Sequence, residues 1–406
     1  MEIKDTIIPR PFYVEHILEV IDRGMMIILV GQRRVGKSFV LMQLESEIKK
    51  MNPASNIIFI NKEFTKFNAL TNSDELYQFV EERLLPSVHN YLLIDEVQDI
   101  KDFQVALRSL NAERKCQIVA TGSNAHVFSS ELSTLLGGRY IEIPVYPLSY
   151  KEFLIFHNLE DSDDSLIKYL TVGGMPGLSL FDINNERQVN DYLQGVFSTI
   201  IMKDIILRES PRNIIFLENL VSFIAENIGK LFSIRKVTNT MISYGEKITD
   251  MLTGNYVRYL KNALLIKSAM RFDIHGKKIF EQVNKFYFTD QGIRNLLSSF
   301  SIRGSIEKLM ENVIYNHLLI KGYKVYVGDL KNTEIDFVAE KGDKRIYIQS
   351  TYLLASEETV KREFGNLAAI NDNYPKIVVS MDPVSGELRE YPGILHMRLR
   401  DFLNQY

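Results

Sequence analysis

Residues 31–38 form the segment whose residue types and spacing point most directly to chemistry. They read GQRRVGKS and fit the pattern G-x-x-x-x-G-K-[ST], in which backbone N–H groups and the following helix amino terminus surround phosphate oxygens. In this arrangement Lys37 reaches the β- and γ-phosphates of a nucleoside triphosphate, and the Ser38 hydroxyl binds Mg²⁺. The pattern therefore predicts an ATP-binding loop. We expect its contacts to come from Gly31, Gln32, Arg33, Arg34, Val35, Gly36, Lys37, Ser38 and the adjoining Phe39.

Two adjacent carboxylates supply the second half of the predicted site. Residues 91–96 read YLLIDE, an apolar strand that ends in Asp95 and Glu96. Asp95 is predicted to hold Mg²⁺ through water, and Glu96 is predicted to orient or deprotonate the water that attacks the γ-phosphate. The alternative is that the two acids cap the next helix, which is a common use of acidic residues after a strand. Their place downstream of residues 31–38 favours the metal-binding and catalytic roles.

A hydroxyl and a guanidinium further along the chain are candidates for contacts with the γ-phosphate. Ser123 lies in the segment TGSN that follows an apolar run. It is predicted to hydrogen-bond the γ-phosphate or the attacking water, provided that its strand lies beside the one ending in Asp95. The same segment also suits a simple turn with a helix cap. Arg139 would offset γ-phosphate charge in its own chain or in a neighbouring subunit, and an exposed structural arginine is the alternative.

Four apolar runs between residues 25 and 121 must position these side chains. The runs MMIILV, NIIFI, YLLID and CQIVAT alternate with amphipathic stretches of helical period. Strands that are apolar on both faces are typical of a parallel sheet covered by helices. We therefore predict the α/β class, with residues 1–157 folded as a parallel-sheet P-loop NTPase domain.

The rest of the chain separates into three segments of different pattern. Residues 158–228 are predicted to be a helical linker or lid, because apolar residues recur three and four positions apart. Residues 229–300 hold two short helical patterns and then two strand-like runs around a turn, which is the order of a winged helix. Residues 301–406 start with a helix and continue with strand-like runs, so they are predicted to form a second α/β domain.

Size, charge and cysteine content exclude several classes of protein. The chain has 406 residues, a formal net charge of −3 and one cysteine, Cys116. It is therefore long enough for several domains, has no global basic footprint and cannot form an internal disulfide. The first ten residues lack the apolar core of a signal peptide, and the apolar run at residues 25–30 is too short to cross a bilayer. We expect a cytoplasmic protein without membrane contact.

Several motifs together resemble one family. They are GQRRVGKS, LLIDEVQ, ATGSN and LLGGRYIEIPVYPLSYKEF, followed by YLTVGGMPG, KFYFTDQGIRNLL and EIDFVAEKGDKRIYIQ. The chain resembles the AAA+ ATP-binding proteins of bacteria and archaea that carry a carboxy-terminal region of unknown function. The resemblance implies an AAA+-like core, a winged helix and a final restriction-endonuclease-like fold. It also implies ATPase roles for Lys37, Ser38, Asp95 and Glu96. For Ser123 it implies the role of a sensor, and for Arg139 that of an arginine finger.

A local surplus of positive charge marks the predicted winged helix. Residues 229–299 hold twelve Lys or Arg against five Asp or Glu. In a winged helix the second helix, here 249–265, and the wing face nucleic acid. The candidate phosphate contacts are Arg258, Lys261, Lys277 and Lys278. The alternative is a module that packs between domains or binds protein, with these charges as a solvated face.

The last segment carries part of a nuclease pattern. Restriction-type nucleases combine acidic residues with a Glu-x-Lys group, whose carboxylates hold Mg²⁺ while the lysine helps to position the attacking water. Glu311, Asp336 and Gln349 occupy the corresponding places, but Thr351 stands at the lysine position. An amide in place of a carboxylate and the missing cation weaken metal binding and water activation. We therefore predict an inactive, structural or binding version of the fold.

These observations lead to one hypothesis and two alternatives. The hypothesis is an ATPase that couples Mg²⁺-dependent ATP hydrolysis to rearrangement of its carboxy-terminal domains. Its partner is expected to be DNA or a protein. Oligomers are expected if Arg139 acts on a neighbouring subunit. One alternative is a nucleotide-gated binding switch that hardly hydrolyses ATP. The other is a DNA nuclease regulated by ATP.

Overall fold

A computed structural model of the chain describes residues 7–124, 137–298, 302–331, 333–383 and 385–406. The chain divides into two compact units. Unit 1 comprises Met1–Pro147 with Asn262–Leu264, and unit 2 comprises Leu148–Lys261 with Leu265–Tyr406.

Unit 1 is built on a five-stranded parallel sheet with the strand order β2-β3-β4-β1-β5. Its strands are β1 (Met26–Val30), β2 (Asn56–Asn61), β3 (Asn90–Asp95), β4 (Gln117–Gly122) and β5 (Tyr140–Pro144). Its helices are α1 (Pro11–Val20), α2 (Lys37–Met51), α3 (Ser73–Glu81) and α4 (Phe103–Ala112), with short 3-10 turns at Thr65–Phe67 and Val97–Asp99. The predicted α/β class and the four predicted strands are confirmed.

Burial explains why these strands are apolar throughout. Every residue of β1 and of β4 is buried, since helices cover both faces of a parallel sheet. The strand order places β4 between β1 and β3. The carboxyl ends of these three neighbouring strands therefore meet at one edge, where α/β proteins bind their ligands.

Most of the described helices lie in unit 2. They are α5 (Tyr150–Phe156), α6 (Asp163–Val172), α7 (Glu186–Thr199), α8 (Leu207–Glu209), α9 (Ile214–Glu226), α10 (Ile234–Ser243), α11 (Asp250–Asn262), α12 (Gln291–Leu296), α13 (Ile302–Ile320), α14 (Glu357–Ala368) and α15 (Leu399–Gln405). A 3-10 turn at Pro176–Leu180 and a π-helix at Ile200–Ile206 complete the set.

The strands of unit 2 form one nine-stranded mixed sheet with the order β13-β14-β12-β11-β10-β9-β7-β8-β6. The strands are β6 (Leu231–Phe232), β7 (Ile266–Asp273), β8 (Lys278–Phe288), β9 (Lys324–Leu330), β10 (Thr333–Lys341), β11 (Lys344–Ser350), β12 (Lys376–Ser380), β13 (Gly386–Glu387) and β14 (Ile394–Arg398). The hairpin β7–β8 joins the later strands because β7 pairs in parallel with β9. In the described part of the chain, no helix combines the length and apolarity that a bilayer crossing needs.

Candidate nucleotide-binding site

The glycine-rich loop connects the buried strand β1 directly to helix α2. Gly36 precedes the helix with a φ of 94°, a conformation that glycine adopts without strain. Gly31 leaves β1 so close to the end of β5 that a Cβ atom there would lie 2.3 Å from the Val145 carbonyl oxygen. The N–H of Gly31 donates to the carbonyl of Gly122 on β4. Both glycines of the motif are thus required by backbone geometry.

Lys37 is the first residue of α2, and its ammonium turns back over the loop. The Nζ atom donates to the carbonyl oxygens of Gly31 at 2.9 Å and Gln32 at 3.2 Å. It also lies 3.9 Å from the Glu96 carboxylate. The side chain is only 3% exposed. This position at the mouth of the loop suits contact with the β- and γ-phosphates.

Asp95 ends β3 with a fully buried carboxylate. Its Oδ1 atom accepts a hydrogen bond of 2.6 Å from the Thr121 hydroxyl on β4, and its Oδ2 atom has no hydrogen-bond partner among the described residues. Burial raises the pKa of Asp95, while the hydroxyls of Thr121 and Ser38 lower it. A buried, unpartnered carboxylate oxygen near the Ser38 hydroxyl fits a hard divalent cation such as Mg²⁺.

Glu96 follows in a left-handed conformation with φ 56° and ψ 51°. Its N–H donates to the Thr121 hydroxyl at 2.9 Å, so one threonine positions both acids. Its carboxylate lies 3.8 Å from Arg33 and 3.9 Å from Lys37, and it accepts a hydrogen bond from Gln98. Burial by itself raises the pKa of Glu96, but Lys37 and Arg33 outweigh burial, so the pKa lies below its usual value. An ionised carboxylate is the form that accepts a proton from water.

Ser123 lies just beyond the end of β4, which is adjacent to β3 as its predicted role requires. Its hydroxyl accepts hydrogen bonds from Arg33 at 3.3 Å and from Gln98 at 3.4 Å. The structure thus brings together most of the predicted residues at one edge of the sheet. These residues are Gly31, Gln32, Arg33, Gly36, Lys37, Ser38, Asp95, Glu96 and Ser123.

The structure does not bring Arg139 to this edge. Arg139 is exposed and precedes β5, and its carbonyl oxygen accepts from the N–H of Met26 at the start of β1. The glycine-rich loop follows β1 at the opposite end of the β1–β5 pair. Five residues of extended chain separate the two ends, which is a distance of about 16 Å. Action on its own loop is therefore not supported, and action on a neighbouring subunit stays a prediction. Arg34 and Phe39 are exposed, with Arg34 at a φ of 70°.

Three functional contacts were missed by the sequence reasoning. Thr121 lies in β4, at the start of the segment TGSN, but only its register beside Asp95 identifies it as the residue that holds both acids. Gln98, two residues after Glu96, contacts Glu96 and Ser123. Arg10, before α1, donates from its buried guanidinium to the carbonyl of Val35 in the loop at 2.9 Å. No local motif marks Arg10, because the contact spans a long stretch of chain.

Unit 2 contains a second polar cluster around the buried Lys285 of β8. Its ammonium lies 2.7 Å from Glu334, 3.3 Å from Glu311 and 3.5 Å from Asp336. Burial by itself would lower the pKa of Lys285, but the three carboxylates raise it. Burial raises the pKa of Glu311 to about 8, although Lys285 opposes that shift. A cation therefore does reach these acids, but it comes from β8, outside residues 301–406, where the nuclease pattern places its lysine.

The cluster borders a cavity of about 490 Å³. Gln349 there donates to Glu363 at 2.8 Å and accepts from the N–H of Asp336 at 2.7 Å, so its amide holds two acidic residues in place. Thr351 lines the same cavity. Across the described ranges, no group of three or more His, Cys, Asp or Glu side chains is arranged to hold a metal ion.

The four predicted phosphate contacts are all exposed in unit 2. Arg258 and Lys261 lie on α11, and Lys277 and Lys278 lie at the turn between β7 and β8. The elements α10, α11, β7 and β8 follow one another as a helix pair and a hairpin.

Comparisons with known proteins agree with this architecture. Residues 23–154 match the family model of an AAA domain, and residues 163–303 match that of a domain of unknown function, DUF8612. An uncharacterized protein of Haemophilus influenzae is 34% identical over 381 residues, covering 92% of this chain and 93% of that protein. The uncharacterized protein MJ1544 of Methanocaldococcus jannaschii is 29% identical over 355 residues, covering 83% and 76%. A Walker-type ATPase of Pyrococcus abyssi aligns with a TM-score of 0.51 and 17% identity over 72% of this chain and 97% of that chain, a likeness of fold.

Proposed function

Because the chain belongs to a family of AAA-domain proteins of bacteria and archaea, we propose that it binds MgATP and hydrolyses it to ADP and phosphate. The observation that carries the proposal is the meeting of Lys37, Asp95 and Glu96 at one edge of the parallel sheet. A phosphate-binding cation, a buried carboxylate with a free oxygen and an ionised carboxylate are the three groups that the reaction needs.

The roles follow from the contacts of each side chain. Backbone N–H groups of residues 31–38 and the amino terminus of α2 bind the phosphates, and the Lys37 ammonium contacts the β- and γ-phosphates. Ser38 and Asp95 hold Mg²⁺, which supplies neutralising charge at the phosphates when bound. Glu96 accepts the proton of the attacking water, and Ser123 donates a hydrogen bond to the water or to the γ-phosphate.

The test is the hydrolysis of MgATP by the full chain and by Glu96→Gln. The variant keeps the size of the side chain but cannot accept the proton, so we expect MgATP affinity within about threefold of wild type and turnover reduced by a factor of about 10²–10⁴. Glu19→Gln, on the exposed face of α1, serves as the matched control and retains full turnover. Undiminished turnover in Glu96→Gln contradicts the assignment of the base.

The same measurement separates an ATPase from a nucleotide-gated switch. If the protein is a switch, the wild type binds MgATP, but in a single turnover it hydrolyses MgATP no faster than Glu96→Gln does. The ionised, positioned Glu96 carboxylate favours the ATPase.

Coupling of the nucleotide state to DNA contact through unit 2 is the further part of this proposal. The DNA contact in this proposal is supported by the four exposed cations on α11 and the β7–β8 turn, which are Arg258, Lys261, Lys277 and Lys278. Duplex binding should weaken linearly with the logarithm of salt concentration, and each Lys→Ala or Arg→Ala change at a phosphate contact should reduce that slope by about 1. Affinity that does not depend on salt contradicts phosphate contact. A protein partner would bind without this salt dependence.

A phosphodiester-cleaving site in unit 2 is the second candidate, and Lys285 is the observation that favours it. The sequence pattern lacks the lysine, but the ammonium of Lys285 lies within 3.5 Å of both Glu311 and Asp336. This places a cation beside the acids, as restriction-type cleavage requires. Magnesium-dependent cleavage of plasmid DNA that is lost in Asp336→Ala supports this candidate. Cleavage that persists in this variant comes from another source and removes the candidate.

A further inference from the structure

Arg33, the third residue of the glycine-rich loop, differs from the neighbouring Arg34 in its surroundings. Arg33 is 7% exposed, whereas Arg34 is exposed to solvent. A long cationic side chain is rarely buried unless it is paired. Its partners therefore indicate what the guanidinium does.

The guanidinium of Arg33 spans the two strand ends that carry the proposed reaction. Its Nη2 atom donates to the Ser123 hydroxyl at 3.3 Å, and its Nη1 atom lies 3.8 Å from a carboxylate oxygen of Glu96. Gln98 closes the arrangement because it bonds both Glu96 and Ser123. One loop side chain is thus connected to both the proposed base and the proposed γ-phosphate sensor.

Two cations face the Glu96 carboxylate. Lys37 approaches it to 3.9 Å from the loop side, and Arg33 approaches it to 3.8 Å. Among the described residues, Asp95 also interacts with Glu96 through its charge, and Gln98 and Ser123 hydrogen-bond to it. A γ-phosphate carries more negative charge than one carboxylate and can accept both prongs of a guanidinium. A bound triphosphate therefore competes with Glu96 for Arg33, and a diphosphate does not.

We propose that Arg33 is a positioning residue that holds Glu96 and Ser123 in place until the γ-phosphate of ATP draws its guanidinium away and frees Glu96 to engage water. The inference rests on the proposed ATPase function and adds its regulation. The base becomes available only when a triphosphate fills the loop. Arg33 thereby takes, within one chain, the γ-phosphate contact that Arg139 cannot reach from the opposite end of β5.

Arg33→Gln tests the proposal because it removes the charge while keeping a hydrogen-bonding side chain. We expect the preference for MgATP over MgADP, measured by calorimetry on the full chain, to fall about tenfold, since one charge-assisted contact to the γ-phosphate is lost. The KM for MgATP should rise about tenfold while kcat stays within about threefold of wild type, because the γ-phosphate contact is lost and the Glu96 carboxylate remains in the site. Arg33→Lys should recover both quantities in part.

Arg108→Gln, an exposed position on α4, is the matched control and should match wild type in both measurements. A wild-type preference for MgATP over MgADP together with a wild-type KM for MgATP in Arg33→Gln would overturn the role of Arg33 while leaving the ATPase intact. If Arg33→Gln does not fold, Arg33→Lys decides alone: full wild-type values of both quantities overturn the proposal, because a lysine cannot reproduce the two-pronged contact. Absence of MgATP binding by the wild type would instead overturn the proposed function itself.

Discussion

Replacing Thr121 by valine removes one hydroxyl that serves both acids of the site. The Thr121 side chain is fully buried. Its Oγ1 atom donates to Asp95 at 2.6 Å and accepts from the N–H of Glu96 at 2.9 Å. Valine has nearly the same shape, so the change isolates the two hydrogen bonds. Without them, a buried carboxylate oxygen and a buried backbone N–H lose their partners.

The expected loss of stability follows from these two contacts. A hydrogen bond to a charged group contributes about 1.5–3 kcal/mol, and an unsatisfied buried donor costs about 1–3 kcal/mol. We therefore expect Thr121→Val to lower the free energy of unfolding of unit 1 by roughly 3–5 kcal/mol. Thr121→Ser keeps the hydroxyl and removes a methyl group, so its loss should be about 1 kcal/mol.

The pH dependence of this loss has a definite sign. Burial raises the pKa of Asp95, and the Thr121 hydroxyl opposes that shift, so Thr121→Val raises the pKa of Asp95 further. A carboxyl whose folded-state pKa is raised contributes stability at low pH that is lost as pH rises through the folded-state pKa. The gap between Thr121→Val and wild type should therefore widen as pH rises above the ordinary range of a carboxyl pKa.

Urea unfolding followed by circular dichroism measures the effect, because the chain has no tryptophan for fluorescence. The transition of unit 1 is the one that MgATP shifts to higher urea, since a ligand stabilises the folded state it binds. The reasoning is refuted if Thr121→Val costs less than about 1 kcal/mol, or no more than Thr121→Ser does.

Three further changes test other parts of the structure. Gly31→Ala should abolish MgATP binding in a calorimetric titration, because its Cβ would lie 2.3 Å from the Val145 carbonyl oxygen; wild-type affinity would contradict this packing. Lys285→Met should lower the free energy of unfolding of unit 2 by about 3–5 kcal/mol. That loss should grow as pH rises through the wild-type pKa of Glu311, about 8. Above that pH the wild type gains the ion pair between Glu311 and Lys285, which the variant lacks, and urea titrations that show no pH dependence would refute the pairing. Arg139→Ala should leave the MgATP affinity of the monomer unchanged, since Arg139 lies at the far end of β5, and a tenfold loss in equilibrium binding would contradict that placement.

The sheet of unit 1 and its phosphate loop could be predicted because their signals are local. Each buried strand is a continuous apolar run, and the two glycines of the loop stand at fixed offsets from Lys37 and Ser38. Asp95 and Glu96 follow directly on such a run. A local sequence pattern is sufficient to predict a site when all residues of the motif lie at the end of one strand.

The residues that were missed act across strands. Thr121 meets Asp95 only because β4 lies beside β3 in a particular register, and sequence spacing carries no information on strand order. Lys285 reaches Glu311 and Asp336 because the hairpin β7–β8 joins the sheet of the later strands. Lys285 lies outside residues 301–406, the segment in which the nuclease pattern places its lysine. Arg139 was predicted to lie near the γ-phosphate, but it precedes the start of β5, whereas the loop follows the end of β1. Sequence spacing does not show at which end of the sheet a residue lies.

The most direct test of the central claim is a calorimetric titration of the full chain with MgATP, beside Lys37→Ala. Backbone N–H groups, the amino terminus of α2 and the Lys37 ammonium together form the proposed phosphate site. We predict saturable binding of one nucleotide by the wild type and an affinity lower by a factor of at least about 100 in Lys37→Ala, since a buried charge contact to phosphate is removed. Equal heats of binding and equal affinities in the two proteins would contradict the claim.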